Sequence, residues 1–178
     1  MSCFGNFIRG TVLACVIASC GSIAQAQTKQ DMTLQTLIDR AEIEDVLTRY
    51  MTDLGHSTIE IYTSFYADDA ELIMGTNTFK GRAAIASAYA AMRATPGNTR
   101  GSAHAFNTIL SNPIITVHGD AATAQLIFTE VITDTAQSAP RMLVQGREYD
   151  ELARVGGRWV FKKRQVVSGA TPPADWHP

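Results

Sequence analysis

Apolar side chains between Arg40 and Gly55 return at three- and four-residue intervals as Ile43, Leu47, Tyr50 and Leu54, the spacing that lines one face of a helix. The pattern predicts a first long helix over "LQTLIDRAEIEDVLTRYMTDL", with Tyr50 at the edge of its apolar face and Asp53 about one turn further on. Ser57 or Thr58 is placed to cap a second, short helix in "TIEIYTSFYA". "ADDAELIMG" shifts toward strand character, and "GRAAIASAYAAMRA" returns to helix with Ile85, Tyr89 and Met92 on one side. "TPGNTRGS" then breaks the pattern into a loop.

Beyond that loop the period becomes two. "AHAFNTILSNPIITVHGD", "AATAQLIFTEVITD", "RMLVQGREYDELARV" and "RWVFKKRQVVS" read as successive strands, the last two joined by a Gly156-Gly157 turn of the kind that closes a hairpin. Helices first and strands afterwards predict an α+β domain in which a strongly curved antiparallel sheet wraps the N-terminal helices. The domain is expected over 32–168, followed by an irregular tail over 169–178 that would cover a pocket mouth or pack outside.

The first 26 residues read differently. "MSCFGNFIRG" is basic, "TVLACVIAS" is a short apolar run, and Ala24-Gln25-Ala26 has the small-x-small form of a signal-peptidase site, so 1–26 is expected to be a signal peptide. The alternative is a lipoprotein signal over 1–19, because "IASC" resembles a lipobox that would leave Cys20 as a lipid anchor. The expected location is the periplasm or the secreted fraction, or the membrane surface for the lipidated form. Cys3, Cys15 and Cys20 all precede Ala26, which removes disulfides and thiolate chemistry from the exported soluble chain. Loss of the leader takes Arg9 with it and makes the formal charge of -2 one unit more negative. No basic stripe is left for a nucleic-acid partner.

No dinucleotide fingerprint, phosphate loop or nucleophile elbow occurs, and His56, His104, His118 and His177 lack metal-ligand spacing, so neither a cofactor nor a metal is expected. General acid-base chemistry remains. Glu130 alternates with Leu126, Phe128 and Ile132, and a carboxylate among large apolar side chains has its pKa raised unless a partner such as Arg147 makes it structural. Tyr50 and Asp53 would line a cavity or pack a core. His104 follows the loop and begins a strand, the histidine best placed to enter a cavity, while His118 is expected in an exposed turn. Glu148 shares a strand face with Asp150 and is a further candidate buried carboxylate. The basic run "FKKRQ" reads as a solvated edge or as salt bridging to "DDAE".

Taken together, "RAEIEDVLTRYMTDL", "FYADDAEL", "FKGRAAI", "SNPIITVHGDAATA" and "GREYDELARVGGRWVFKKRQV" resemble the nuclear transport factor 2-like superfamily, in particular its SnoaL-like branch. Relatives there include scytalone dehydratase, bile-acid 7α-dehydratase, ketosteroid isomerase and polyketide cyclases. The resemblance implies a cone of curved sheet and helices around a hydrophobic pocket, usually in a homodimer. It also implies cofactor-independent elimination by a helix tyrosine, an aspartate and a histidine. Tyr50 matches the tyrosine. The aspartate position falls on Gly55, leaving Asp53 as its substitute, and the histidine position lies nearer Thr108 than His104. The expected activity is that of a lyase removing water or formaldehyde from a hydrophobic hydroxylated aromatic or polycyclic molecule, with Tyr50, Asp53, His104 and Glu130 as its residues. The alternatives are an isomerase or cyclase, and a noncatalytic small-ligand-binding protein.

Overall fold

The computed structural model describes residues 32–169 and 171–177; the leader and the Cys20 anchor position lie outside them. Helix α1 spans Leu34–Asp53, capped by Thr33, whose hydroxyl accepts from the Thr36 amide at 3.1 Å. Such a cap satisfies one of the amides that a helix leaves unpaired at its start. The apolar stripe read from the sequence is buried: Ile43, Leu47, Tyr50 and Met51 face the core. Helix α2, Ile59–Thr63, is capped by Thr58. Strands β1 (Tyr66–Met74) and β2 (Asn77–Lys80) form a hairpin before helix α3 (Arg82–Ala94) and a single-turn α4 (Thr99–Ser102). Strands β3 (Ala105–His118), β4 (Ala121–Thr133), β5 (Arg141–Val155) and β6 (Arg158–Val167) follow.

The expected antiparallel, cone-shaped and strongly curved sheet is corrected by the strand order. The six strands lie in the order β2-β1-β6-β5-β4-β3. β3 to β6 form an antiparallel meander, but β1 runs parallel to β6. The sheet is therefore mixed, and it is open, with β2 and β3 at its two edges rather than closed into a cone. The reason is one of chain path. Hairpin turns set the direction of neighbouring strands, whereas the pairing of the first strand with the last depends on how the whole chain folds back. β6 is thereby a central strand, not the solvated edge its basic run suggested, although Lys162 does pair with Asp69 at 2.5 Å.

β4 alternates strictly, with Ala122, Ala124, Leu126, Phe128, Glu130 and Ile132 buried and the residues between them half-buried or exposed, as a period of two requires. The α1 stripe and Tyr62, Ile85 and Tyr89 join Leu126, Phe128, Leu152 and Phe161 in one core. On the other face of β5, Tyr149 is covered by the tail, whose Trp176 meets it edge-on at 5.1 Å between ring centroids, and Lys163 holds Asp175 at 2.6 Å. The tail thus packs outside.

Phe128 fits over β5 only because its partner in register is Gly146. A Cβ there would stand 2.6 Å from the Phe128 ring and 2.8 Å from the Val167 carbonyl oxygen. Gly146→Ala should therefore lower the unfolding free energy by about 1–3 kcal/mol, the usual cost of overpacking a closed site, as read by chemical denaturation.

Candidate active site

A cavity of about 900 Å³ lies between the ends of α1 and α3 and the buried face of the sheet. Its wall carries Tyr50, Tyr62, Tyr89, Met74 and Phe128, together with two glutamates, Glu130 and Glu148, and the guanidinium of Arg164. The α3–β3 connection, with Arg100 on α4, lines another side.

Tyr50 is fixed from several directions. Its ring stacks on Tyr62 at 4.4 Å, meets Phe161 edge-on at 5.1 Å, and has the Arg164 guanidinium carbon 3.7 Å from its centroid. Its hydroxyl lies 2.8 Å from that of Tyr66 and 2.5 Å from that of Tyr89, and the last two are 3.0 Å apart. Three hydroxyls hold three protons. When each donates to the next, the triangle is closed and no donor is left for a ligand. When Tyr50 turns its proton to a ligand oxygen, Tyr66 and Tyr89 can both donate to the Tyr50 oxygen and stabilise charge drawn onto it. Burial pushes the hydroxyls of Tyr62, Tyr66 and Tyr89 above the usual phenol range, which keeps these three in the donor form.

Beside the tyrosines lies a buried charge cluster. Arg164 Nη2 donates to Glu148 Oε1, and Arg164 Nε stands 3.9 Å from Asp150 Oδ1. Asp150 is opposite Arg164 in the β5–β6 register. All three side chains are 3% exposed or less. Burial pushes the carboxyls of Glu148 and Asp150 well up, and Glu148 is raised further by the charges of Asp150 and Glu130. The same burial lowers the Arg164 guanidinium well below its ordinary range, so desolvation works against the charged form of all three groups.

Of the residues expected from the sequence, Tyr50 and Glu130 both line the cavity, whereas Asp53 and His104 do not. Glu130 is tied to Arg100, whose Nε and Nη2 reach the same oxygen at 2.8 and 2.5 Å; the expected partner Arg147 is not the one used. Asp53 accepts from the Ser57 hydroxyl at 2.6 Å beyond the end of α1. His104 is exposed just before β3, and Thr108, opposite Glu130 in the β3–β4 register, is half-buried. The histidine in the lining is His56. Its Nε2 lies 2.9 Å from the Phe106 carbonyl, which can only accept, so Nε2 donates in this bond. Gly55 makes this possible: its φ is +85°, and a Cβ would stand 2.9 Å from the Phe106 ring. A glycine directly after a helical run is the one signal in the sequence for that turn. No local pattern singles out Arg164 or Arg100.

The family model of the SnoaL-like domain matches residues 35–165. The chain belongs to the SnoaL-like domain family. Solved structures agree in fold. An NTF2-like protein with a cystatin-like fold from Novosphingobium aromaticivorans is 22% identical, with a TM-score of 0.65 over 79% of this chain and 88% of that one. A candidate scytalone dehydratase from the same organism is 21% identical, with a TM-score of 0.63 over 83% and 93%. Aln2 from a Streptomyces species is 18% identical, with a TM-score of 0.66 over 79% and 94%. No curated protein matches the sequence. This SnoaL-like domain therefore shares its architecture with a family of dehydratases, isomerases and ligand binders. Among the described residues it holds no cluster of three or more His, Cys, Asp or Glu able to bind a metal.

The acid pair makes stability depend on pH. Asp150 keeps its proton in the folded state to a higher pH than in the unfolded chain, so as pH rises above about 4 the unfolded state releases a proton that the folded state retains, and folding loses stability. Asp150→Asn removes that loss. The melting temperature of the variant should rise relative to wild type between pH 5 and pH 8, measured by circular dichroism.

Proposed function

We propose that this SnoaL-like domain is a cofactor-independent lyase that removes water or formaldehyde from a hydrophobic hydroxylated aromatic or polycyclic molecule. The observation that carries the reading is the Tyr50 hydroxyl, set in the wall of an aromatic cavity with two further tyrosine hydroxyls able to donate to it. A donor backed in this way is suited to an oxygen that gains negative charge as a neighbouring C–H bond is broken. The aromatic and thioether walls suit a flat apolar ring system, and about 900 Å³ accommodates two or three fused rings. Buried carboxyl groups in the same wall supply candidates for moving the proton. The candidate dehydratase among the structural relatives is compatible with this reading.

Purified protein incubated with hydroxylated bicyclic and tricyclic aromatic compounds should give products lighter by one water or one formaldehyde, resolved by mass spectrometry. Tyr50→Phe should reduce turnover by about 10²–10³-fold, as loss of an oxyanion donor does. Products of unchanged mass would assign an isomerase. Saturable binding without product would assign a ligand carrier, and wild-type turnover in Tyr50→Phe would remove the tyrosine from the chemistry.

A further inference from the structure

The charges that line the cavity do not cancel. They belong to three arginines, Arg93, Arg100 and Arg164, and two glutamates, Glu130 and Glu148. Glu148 is engaged by Arg164 and Glu130 by Arg100. Arg93 is left with no ion-pair or hydrogen-bond partner among the described residues. The excess is positive although the chain as a whole carries a formal charge of -2. A concave site of one sign raises the local concentration of ligands of the other.

The excess also lies at one end. Tyr50, Tyr62, Glu148 and Arg164 are buried, whereas Arg93 in the last turn of α3 and Thr95 and Arg100 on the connection to β3 are exposed and mark the mouth. Burial raises the Tyr62 hydroxyl, and the charge of Arg93 acts on it in the opposite direction. The guanidinium is thus within electrostatic reach of a group on the buried wall. A cation in the last turn also complements the helix dipole, but that role requires no place in the lining of a cavity. Beside it, Arg100 uses Nε and Nη2 on a single oxygen of Glu130, and its Nη1 has no hydrogen-bond partner among the described residues. The mouth therefore presents one unpaired guanidinium and part of a second, and no carboxylate other than the one Arg100 already holds.

We propose that Arg93 determines which ligands the cavity accepts, and that its ligand is an aromatic carboxylate, with the flat apolar rings seated among the tyrosines and the carboxylate at the mouth. The proposal rests on the reading of this cavity as the substrate site and adds the charge of the substrate. A guanidinium fork matches a planar carboxylate with two parallel N–H···O bonds. Anchoring one end of the molecule fixes which end reaches the Tyr50 hydroxyl. A neutral amide of the same shape offers one oxygen and turns an N–H toward the arginine, so it loses one hydrogen bond and the charge together.

The test uses 2-naphthoate and its neutral counterpart 2-naphthamide, titrated into the purified protein by isothermal calorimetry. The wild type should bind the carboxylate at least about tenfold more tightly than the amide, the worth of a hydrogen bond to a charged group. Arg93→Gln should reduce that preference to less than about threefold, by losing the same charged bond, while leaving the affinity for the amide unchanged. Arg100 is kept in this test, because its removal would strand the buried Glu130. An amide that binds as tightly as the carboxylate overturns the proposal. So does a preference that survives Arg93→Gln, or a wild type that binds no 2-naphthoate. If Arg93→Gln does not fold, ionic strength decides. Between about 0.01 M and about 1 M salt, where screening shortens from roughly 30 Å to roughly 3 Å, the carboxylate should lose affinity relative to the amide, and an equal response of the two overturns the assignment. The two proposals fail separately. Arg93-dependent binding of 2-naphthoate with no eliminated product from any hydroxylated compound removes the lyase and keeps the carboxylate site. Elimination from hydroxylated aromatics in a protein that does not distinguish carboxylate from amide keeps the lyase and removes the role of Arg93.

Discussion

The placement of one guanidinium, that of Arg164, governs the interior of this domain. Taking an arginine out of water is costly and is offset only by a close counter-charge and a polarisable surface. Glu148 provides the first and the Tyr50 ring, 3.7 Å away, the second. Because the stack holds the ring and the ring carries the hydroxyl, the same contact that makes the buried charge tolerable also aims the Tyr50 oxygen at Tyr66 and Tyr89. Removing either member of such a pair generally costs about 3–5 kcal/mol, because the survivor is left charged and alone. The polar side of the cavity and the rigidity of its tyrosines are therefore one problem with one solution.

The sheet supplies the geometry for that solution. β6 lies between β1 and β5, so Arg164 has Leu72 on one side and Asp150 on the other in register. Alternation along β5 sends Glu148 and Asp150 to the same face, and alternation along β4 brings Phe128 and Glu130 beside them. Gly146 clears the space into which the Phe128 ring lies. Each residue of the wall is placed by a period of two, and the helices then close over it.

Much of this is legible in the chain, and what is not has physical causes. The α1 stripe, the inward face of β4 and the Gly156-Gly157 turn follow from local periodicity and turn chemistry, and they hold in the fold. The direction of β1 against β6 is a long-range pairing that no local pattern encodes. Arg164 is hidden by a slip in register between Glu151 and Leu152 against β6. Trp159 and Phe161 face the core before it and Arg164 after it, so the inward set changes from odd to even positions across Lys162, the effect of a bulge. A basic run that reads as solvated on both faces therefore contains one buried member. His56 sits in a turn where no period applies, whereas His104, expected from its place at the start of a strand to enter a cavity, is exposed.

The central position of the last strand has a consequence for how the protein comes into being. As the chain is synthesised from its N-terminus, β1 and β2 can pair at once and β3 to β5 can form their meander, but the two pieces share no strand until β6 arrives. Segments that wait for a distant partner present unpaired edges in the meantime. The domain is joined, and the buried arginine of its core delivered, by the final stretch before the tail. A chain that ended before Arg158 would leave two separate fragments of sheet, β2-β1 and β5-β4-β3, and the buried carboxyls of Glu148 and Asp150 without their guanidinium.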